Sequence, residues 1–199
     1  MYNRYTIKYK GVSKTFMENH FNKPTNPKPI DRLVFSGMIG ALYTAFSVLL
    51  APLSFGSVQI RFSEALTLLP VFGGSFTIWG ITIGCFLTNL YGVLTGTSIL
   101  GILDIIIGTL ATLVAGMLSY KFRSVRTFEL PILSAIMPVL INALAIGGLF
   151  GFLGGEFNLP MFITSFISIF AGEFISCCVI GLFLVRIIEK KGIAKYFKG

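Results

Sequence analysis

The sequence predicts an all-α integral membrane protein, a bundle of six transmembrane helices with both the N and the C terminus in the cytoplasm. Three observations carry that expectation. The 199-residue chain is 54% hydrophobic and only 12% charged, against about 25% charged residues in a soluble domain. Its mean hydropathy is +0.83. Of its 16 basic residues, all but Arg61 fall in three clusters, at 1–32, 121–126 and 186–198, and these bracket long apolar stretches.

Two units follow from that pattern. Residues 1–32 form a polar N-terminal extension containing Lys23-Pro-Thr-Asn-Pro-Lys-Pro29. Proline at this density prevents regular helix. The segment lacks an apolar core followed by a small-residue cleavage site, so it reads as a cytoplasmic extension rather than a signal peptide. Residues 33–199 form the membrane domain, which ends in a short basic tail.

Four stretches, 33–54, 98–120, 130–151 and 160–188, are plain span candidates. Each holds the roughly 20 apolar residues that a bilayer core about 30 Å thick requires. Residues 64–93 are harder. As one helix they would run about 45 Å, too long for the core without strong tilt. Gly73-Gly74 divides them into two shorter passes. Charge decides the count. Five spans would put the second and third basic clusters opposite the first, whereas six put all three on one side. The positive-inside rule selects six, with Arg61 alone on the outer side. A re-entrant pair over 64–93 would give the same parity.

This topology assigns a depth to each polar residue. Arg61 and Glu64 fall where the first outer loop meets the second span. Asn89 lies near the outer end of the third span, Asp104 in the outer third of the fourth, and Asn142 in the outer half of the fifth. Glu173 lies near mid-depth of the sixth. An ionised carboxylate at a helix centre costs about 2.5–3.5 kcal/mol on insertion scales. Asp104 and Glu173 should therefore face the bundle interior. The expected result is an outward-opening polar pocket. Its acceptors are Glu64, Asp104, Glu173 and the amides of Asn89 and Asn142, and its one fixed cation is Arg61. Such a pocket suits a small donor-rich ligand, a planar heterocycle or a cation.

Simpler roles stand beside these. Ser63 could cap the second helix, with Glu64 at its positive end. Arg61 could pair with Glu64 or meet lipid phosphate. Asn89 and Asn142 could be interhelical hydrogen-bond partners. Tyr43 and Trp79 suit packing or interface positions better than ligand contact.

Small residues mark helix surfaces. Gly37, Ala41 and Ala45 form one stripe on the first span, and Gly40 and Thr44 an adjacent one. This small-xxx-small pattern lets helices approach closely. It serves either packing inside the bundle or docking of another membrane subunit. Gly108, Thr112 and Gly116 repeat it on the fourth span.

Several function classes are excluded or disfavoured. The net charge of +8 lies in anchoring clusters beside the bilayer and comes with no nucleic-acid motif. Nucleic acid is therefore not an expected partner. The one histidine, His20, precedes the first span, so no His-based metal site forms inside the bundle. Cys85, Cys177 and Cys178 read as buried apolar residues. There is no phosphate-binding GxxxxGK[ST] loop and no HExxH. Gly101-Ile-Leu-Asp104 lacks the second glycine and the partner aspartate of an intramembrane aspartyl protease. No catalytic chemistry and no cofactor are expected. A six-span binder without its own motor needs a partner, or else ion coupling as a self-sufficient carrier of a small polar metabolite.

Gly40-Ala-Leu-Tyr-Thr-Ala45, Leu50-Ala-Pro-Leu-Ser-Phe-Gly56 and Gln59-Ile-Arg-Phe-Ser-Glu-Ala-Leu-Thr-Leu-Leu-Pro70 resemble the queuosine-precursor (QueT) family. So do Gly101-Ile-Leu-Asp104 and Pro138-Val-Leu-Ile-Asn142. The resemblance covers about 33–188 and implies a substrate-binding S component of an energy-coupling factor (ECF) transporter in a bacterial plasma membrane. It implies a first outer loop, about 53–63, that covers the ligand. It also implies docking, through the stripe of Ala41 and Ala45, on a membrane coupling subunit driven by two ATPase subunits. The implied ligands are 7-deazaguanines such as 7-cyano- and 7-aminomethyl-7-deazaguanine, or queuine-like bases. Glu64 or Asp104 would take the base edge, and Glu173 or the other carboxylate the aminomethyl arm.

Overall fold

The computed structural model describes residues 29–51 and 61–197. The first outer loop and most of the N-terminal extension lie outside the described residues. Among the described residues, five helices are long and apolar enough to cross a membrane, and a sixth apolar helix is shorter. They are α1 (Pro29–Leu49), α2 (Phe62–Gly73), α3 (Ser75–Leu94), α4 (Asp104–Lys121), α5 (Ile132–Gly151) and α6 (Leu159–Lys190).

The boundaries have local causes. α1 begins four residues earlier than the charge pattern suggests, at Pro29. Proline fits a first helical turn because its missing N–H is not needed there. Asp31 in that turn complements the positive end of the helix. The helix assignment stops at Leu49 rather than 54. α4 starts after 101 rather than at 98, since Gly101 has a φ of +59° and turns the chain.

The glycine pair does divide 64–93. Gly74 takes a φ of +59° and caps α2 on one side and α3 on the other. What the sequence pattern does not predict is the form of α2. Phe62–Leu68 is 3₁₀ helix, and Pro70–Gly73 adds a single α turn. Longer 3₁₀ runs are uncommon because their hydrogen bonds are poorer. This one is encased: Ser63 through Leu68 are all buried. Irregular backbone at membrane depth is tolerated where protein surrounds it.

α2 forms the axis around which the long helices pack. Leu68 is fully buried against Val139, Cys177 and Val185 of α5 and α6. α1 and α3 meet along glycines. A Cβ at Gly84 would lie 2.7 Å from the Tyr43 Cβ and 2.9 Å from the Gly40 carbonyl. The Thr44 hydroxyl donates across the same contact to the Gly84 carbonyl at 3.2 Å. α4 lays its small-residue stripe on α3, where Thr112 donates to Cys85 Sγ at 3.1 Å. Ser119 and Ser134 exchange hydroxyl-to-carbonyl bonds of 2.8 and 2.9 Å between α4 and α5.

The two stripes of α1 thus part company. Gly40 and Thr44 face α3, whereas Gly37, Ala41 and Ala45 are exposed. Trp79 is 56% exposed and lies away from the polar interior.

Among the described residues, Arg32 of the first basic cluster meets the second cluster and the segment that carries the third. Arg32, Gly74, Tyr120, Arg123, Arg126 and Glu189 border one cavity, and Arg126 pairs with Glu189 at 2.7 Å. The start of α1, the α2–α3 turn, the end of α4 and the end of α6 therefore share one end of the bundle. Arg61 begins α2 at the other end. Among the described residues, the five long helices and the shorter α2 thus run alternately between the two ends of the bundle.

Candidate binding site

At the end opposite the basic clusters, α2 carries Arg61 and Glu64 into the bundle. Arg61 is extended, with φ −96° and ψ 95°, immediately before the first turn. Its guanidinium reaches α3 and α4. Arg61 Nη2 lies 3.7 Å from Asp104 Oδ2, and Nη1 donates to Asn89 Oδ1 at 3.2 Å. Asn89 Nδ2 donates to the Asp104 carbonyl at 3.0 Å, which closes a ring between α2, α3 and α4. The Ser98 hydroxyl adds a 2.8 Å bond to Asp104 Oδ2. Arg61, Asn89 and Asp104 are all buried.

Glu64 is held differently. Its Oε1 accepts the Tyr43 hydroxyl of α1, while its Oε2 is buried without a hydrogen-bond partner. Ser63 does not cap α2; its hydroxyl meets that of Ser47 at 2.7 Å. Across the bundle, Asn142 Nδ2 of α5 donates to Glu173 Oε1 of α6 at 3.2 Å. The same amide faces the Glu64 carboxylate. The Cys177 thiol lies one turn below, 3.6 Å from Glu173 Oε2.

Four of the six polar residues singled out in the sequence, Arg61, Glu64, Asn142 and Glu173, line one small cavity. Asn89 and Asp104 stand behind it as the partners of Arg61. Ile146 and Ile169 supply apolar walls and Thr112 a hydroxyl. The cavity measures about 10 Å³, room for about one water. Small-molecule pockets usually span several hundred Å³. Among the described residues the polar cluster thus leaves less room than the expected pocket, and a heterocycle requires the helices around it to part.

Asp104 and Glu173, the carboxylates that the long helices bring to this cluster, sit where the helix changes pitch. Asp104 opens a π stretch, Asp104–Gly108, and Glu173 directly precedes another, Phe174–Gly181. A π turn adds a residue and re-aims the side chains around it, and such turns are frequent at functional sites. The sequence offered no signal for these stretches. Tyr43 was equally hard to assign, since a lone tyrosine in an apolar span more often packs than donates.

The arrangement gathers three carboxylates and one guanidinium in a buried interior. Such groups are costly in a membrane unless paired or used. It can take a ligand rich in N–H donors, with Arg61 and Asn142 available to an acceptor.

The QueT transporter family model matches residues 33–190, nearly the whole described chain. No curated protein and no solved structure gives a match. With its apolar helices, this protein is a multi-pass membrane protein of transport rather than catalysis, and the chain belongs to the QueT transporter family.

Proposed function

We propose that the protein is the S component of an ECF-type importer and that it binds a 7-deazaguanine queuosine precursor at the Glu64–Glu173 cluster. The observation that carries the reading is the unpartnered Glu64 Oε2, buried beside Asn142 and Glu173 at one cavity. A guanine-type edge offers two adjacent N–H donors, which one carboxylate accepts in a bidentate manner. Each carboxylate oxygen has two lone pairs, so Oε1 can keep Tyr43 and still accept from the base. Glu173 is then placed to hold a protonated aminomethyl arm, and Arg61 or Asn142 the ring carbonyl. Asp104, behind Arg61, orients that guanidinium rather than the ligand.

The remaining parts of the reading follow from the family and the fold. The basic end faces the cytoplasm of a bacterial cell, by the positive-inside rule. Both termini lie there. The exposed stripe of Gly37, Ala41 and Ala45 is the docking face for a membrane coupling subunit, which two cytoplasmic ATPases drive. A thermal-shift screen of purified protein with 7-aminomethyl- and 7-cyano-7-deazaguanine, guanine and adenine tests the substrate class. The deazaguanines should stabilise the protein and adenine should not. Stabilisation by adenine alone, or uptake by the isolated protein under a proton or sodium gradient, contradicts the reading.

A further inference from the structure

A second cavity lies at the basic end of the bundle, between α1, the α2–α3 turn, α4 and α6. It measures about 600 Å³, within the several-hundred-Å³ range of small-molecule sites. Its charge is one-sided. Arg32, Arg123 and Arg126 line it against one acid, Glu189, and Glu189 is taken by Arg126 at 2.7 Å. Arg32 and Arg123 are left facing the cavity with no acid of its lining to neutralise them.

Their donors are available and fixed. Arg32 Nε is buried with no hydrogen-bond partner. Arg123 lies 3.9 Å over the Tyr120 ring and spends one donor on the Tyr120 carbonyl at 2.9 Å. The ring stacking sets the guanidinium in place, and its remaining N–H groups point to no other partner among the described residues. α3 starts at the same cavity. Ser75 and Phe76 line it, and no side chain caps the first turn of this 20-residue helix. Its leading N–H groups carry the positive end of the helix dipole. Two guanidinium groups and an uncapped helix start thus converge on one space.

We infer that this cavity binds a phosphate-bearing anion, supplied by the headgroup of an anionic phospholipid. Guanidinium forks match phosphate oxygens in geometry. Size and wall chemistry decide between the two sources of phosphate. A free phosphate ion would fill only a small part of the space and would not reach the apolar wall that Val71, Phe72 and Phe76 present to the cavity. A phosphoglycerol headgroup with its first acyl carbons uses both the basic and the apolar walls. Basic pockets between membrane helices on the cytoplasmic side are known to hold such headgroups.

The test uses the full chain in neutral detergent, with short-chain phosphatidylglycerol, short-chain phosphatidylcholine and inorganic phosphate as separate probes. Phosphatidylglycerol should raise the melting temperature more than phosphatidylcholine does. The double variant Arg32→Gln/Arg123→Gln should lose that increment while keeping its response to 7-aminomethyl-7-deazaguanine. Should the double variant fold poorly, Ser75→Asp places a competing anion at the helix start and should abolish the increment by itself. A phosphate response equal to that of phosphatidylglycerol, and lost in the same variants, supports the site with free phosphate as its source. Equal responses to the two lipids in the wild-type protein, or an increment retained in both variants, overturn the proposal.

Discussion

Arg61 of α2 and Asp104 of α4 form a buried ion pair, Nη2 to Oδ2 at 3.7 Å, with each side chain less than one-tenth exposed. The pair accounts for the one basic residue outside the three anchoring clusters. It places Asp104 beside Arg61 as its counter-charge. Asn89 completes the arrangement by bonding to both.

Breaking a buried pair from one side leaves an uncompensated charge, at a cost of about 3–5 kcal/mol. Asp104→Asn should therefore lower the thermal midpoint of the detergent-solubilised protein. Arg61→Met/Asp104→Leu should recover much of the loss, because both charges are removed. A double-mutant cycle measures the coupling. Additive single effects would show that the pair contributes nothing.

Tyr43→Phe removes the hydroxyl that Glu64 Oε1 accepts and leaves both carboxylate oxygens short of donors. An unsatisfied buried polar group costs about 1–3 kcal/mol, more when it is charged. A destabilisation of that size is expected in chemical unfolding, with helical content unchanged by circular dichroism. A stability equal to wild type would show that the Tyr43–Glu64 hydrogen bond contributes nothing to it.

Two glycines of the tightly spaced helices should respond in opposite ways. Gly84→Ala sets a methyl 2.7 Å from the Tyr43 Cβ and 2.9 Å from the Gly40 carbonyl. Overpacking of this kind costs about 1–3 kcal/mol. Gly37→Ala meets nothing within 4 Å and should leave the melting temperature unchanged or slightly raised. Equal effects would contradict the α1–α3 contact.

Much of this architecture was legible before any coordinates. Charge parity demanded an even count of passes, and the shared cavity of Arg32, Arg123 and Glu189 meets that demand. The break at Gly73-Gly74 needed only the conformational freedom of glycine. Two things were not legible. A hydrophobic pattern cannot distinguish a short 3₁₀ pass from an α-helix, because encasement by the other helices decides what backbone is tolerated. Nor does depth in the bilayer say which of several polar residues at one level touch. Arg61 has Glu64 three residues away in sequence, yet its guanidinium reaches Asp104 on α4, a contact that sequence spacing does not reveal. The two stripes of α1 were indistinguishable as patterns; only the placement of α3 separated the packed one from the exposed one.

The exposed stripe gives a prediction about assembly. Ala41 faces away from the bundle, so Ala41→Trp should leave stability and ligand binding intact. It should block co-purification with the coupling subunit, because a large side chain prevents close helix approach. A mutant that still co-purifies at wild-type yield would remove Ala41 from the docking face.

Isothermal titration of 7-aminomethyl-7-deazaguanine into the wild-type protein and into Glu64→Gln decides the assignment of the binding site. The amide keeps the size of the side chain but loses one acceptor and the charge. Saturable binding to wild type is expected, with Glu64→Gln weaker by about tenfold or more, the equivalent of about 1.4 kcal/mol. Equal affinities in two folded proteins would contradict a site built on Glu64.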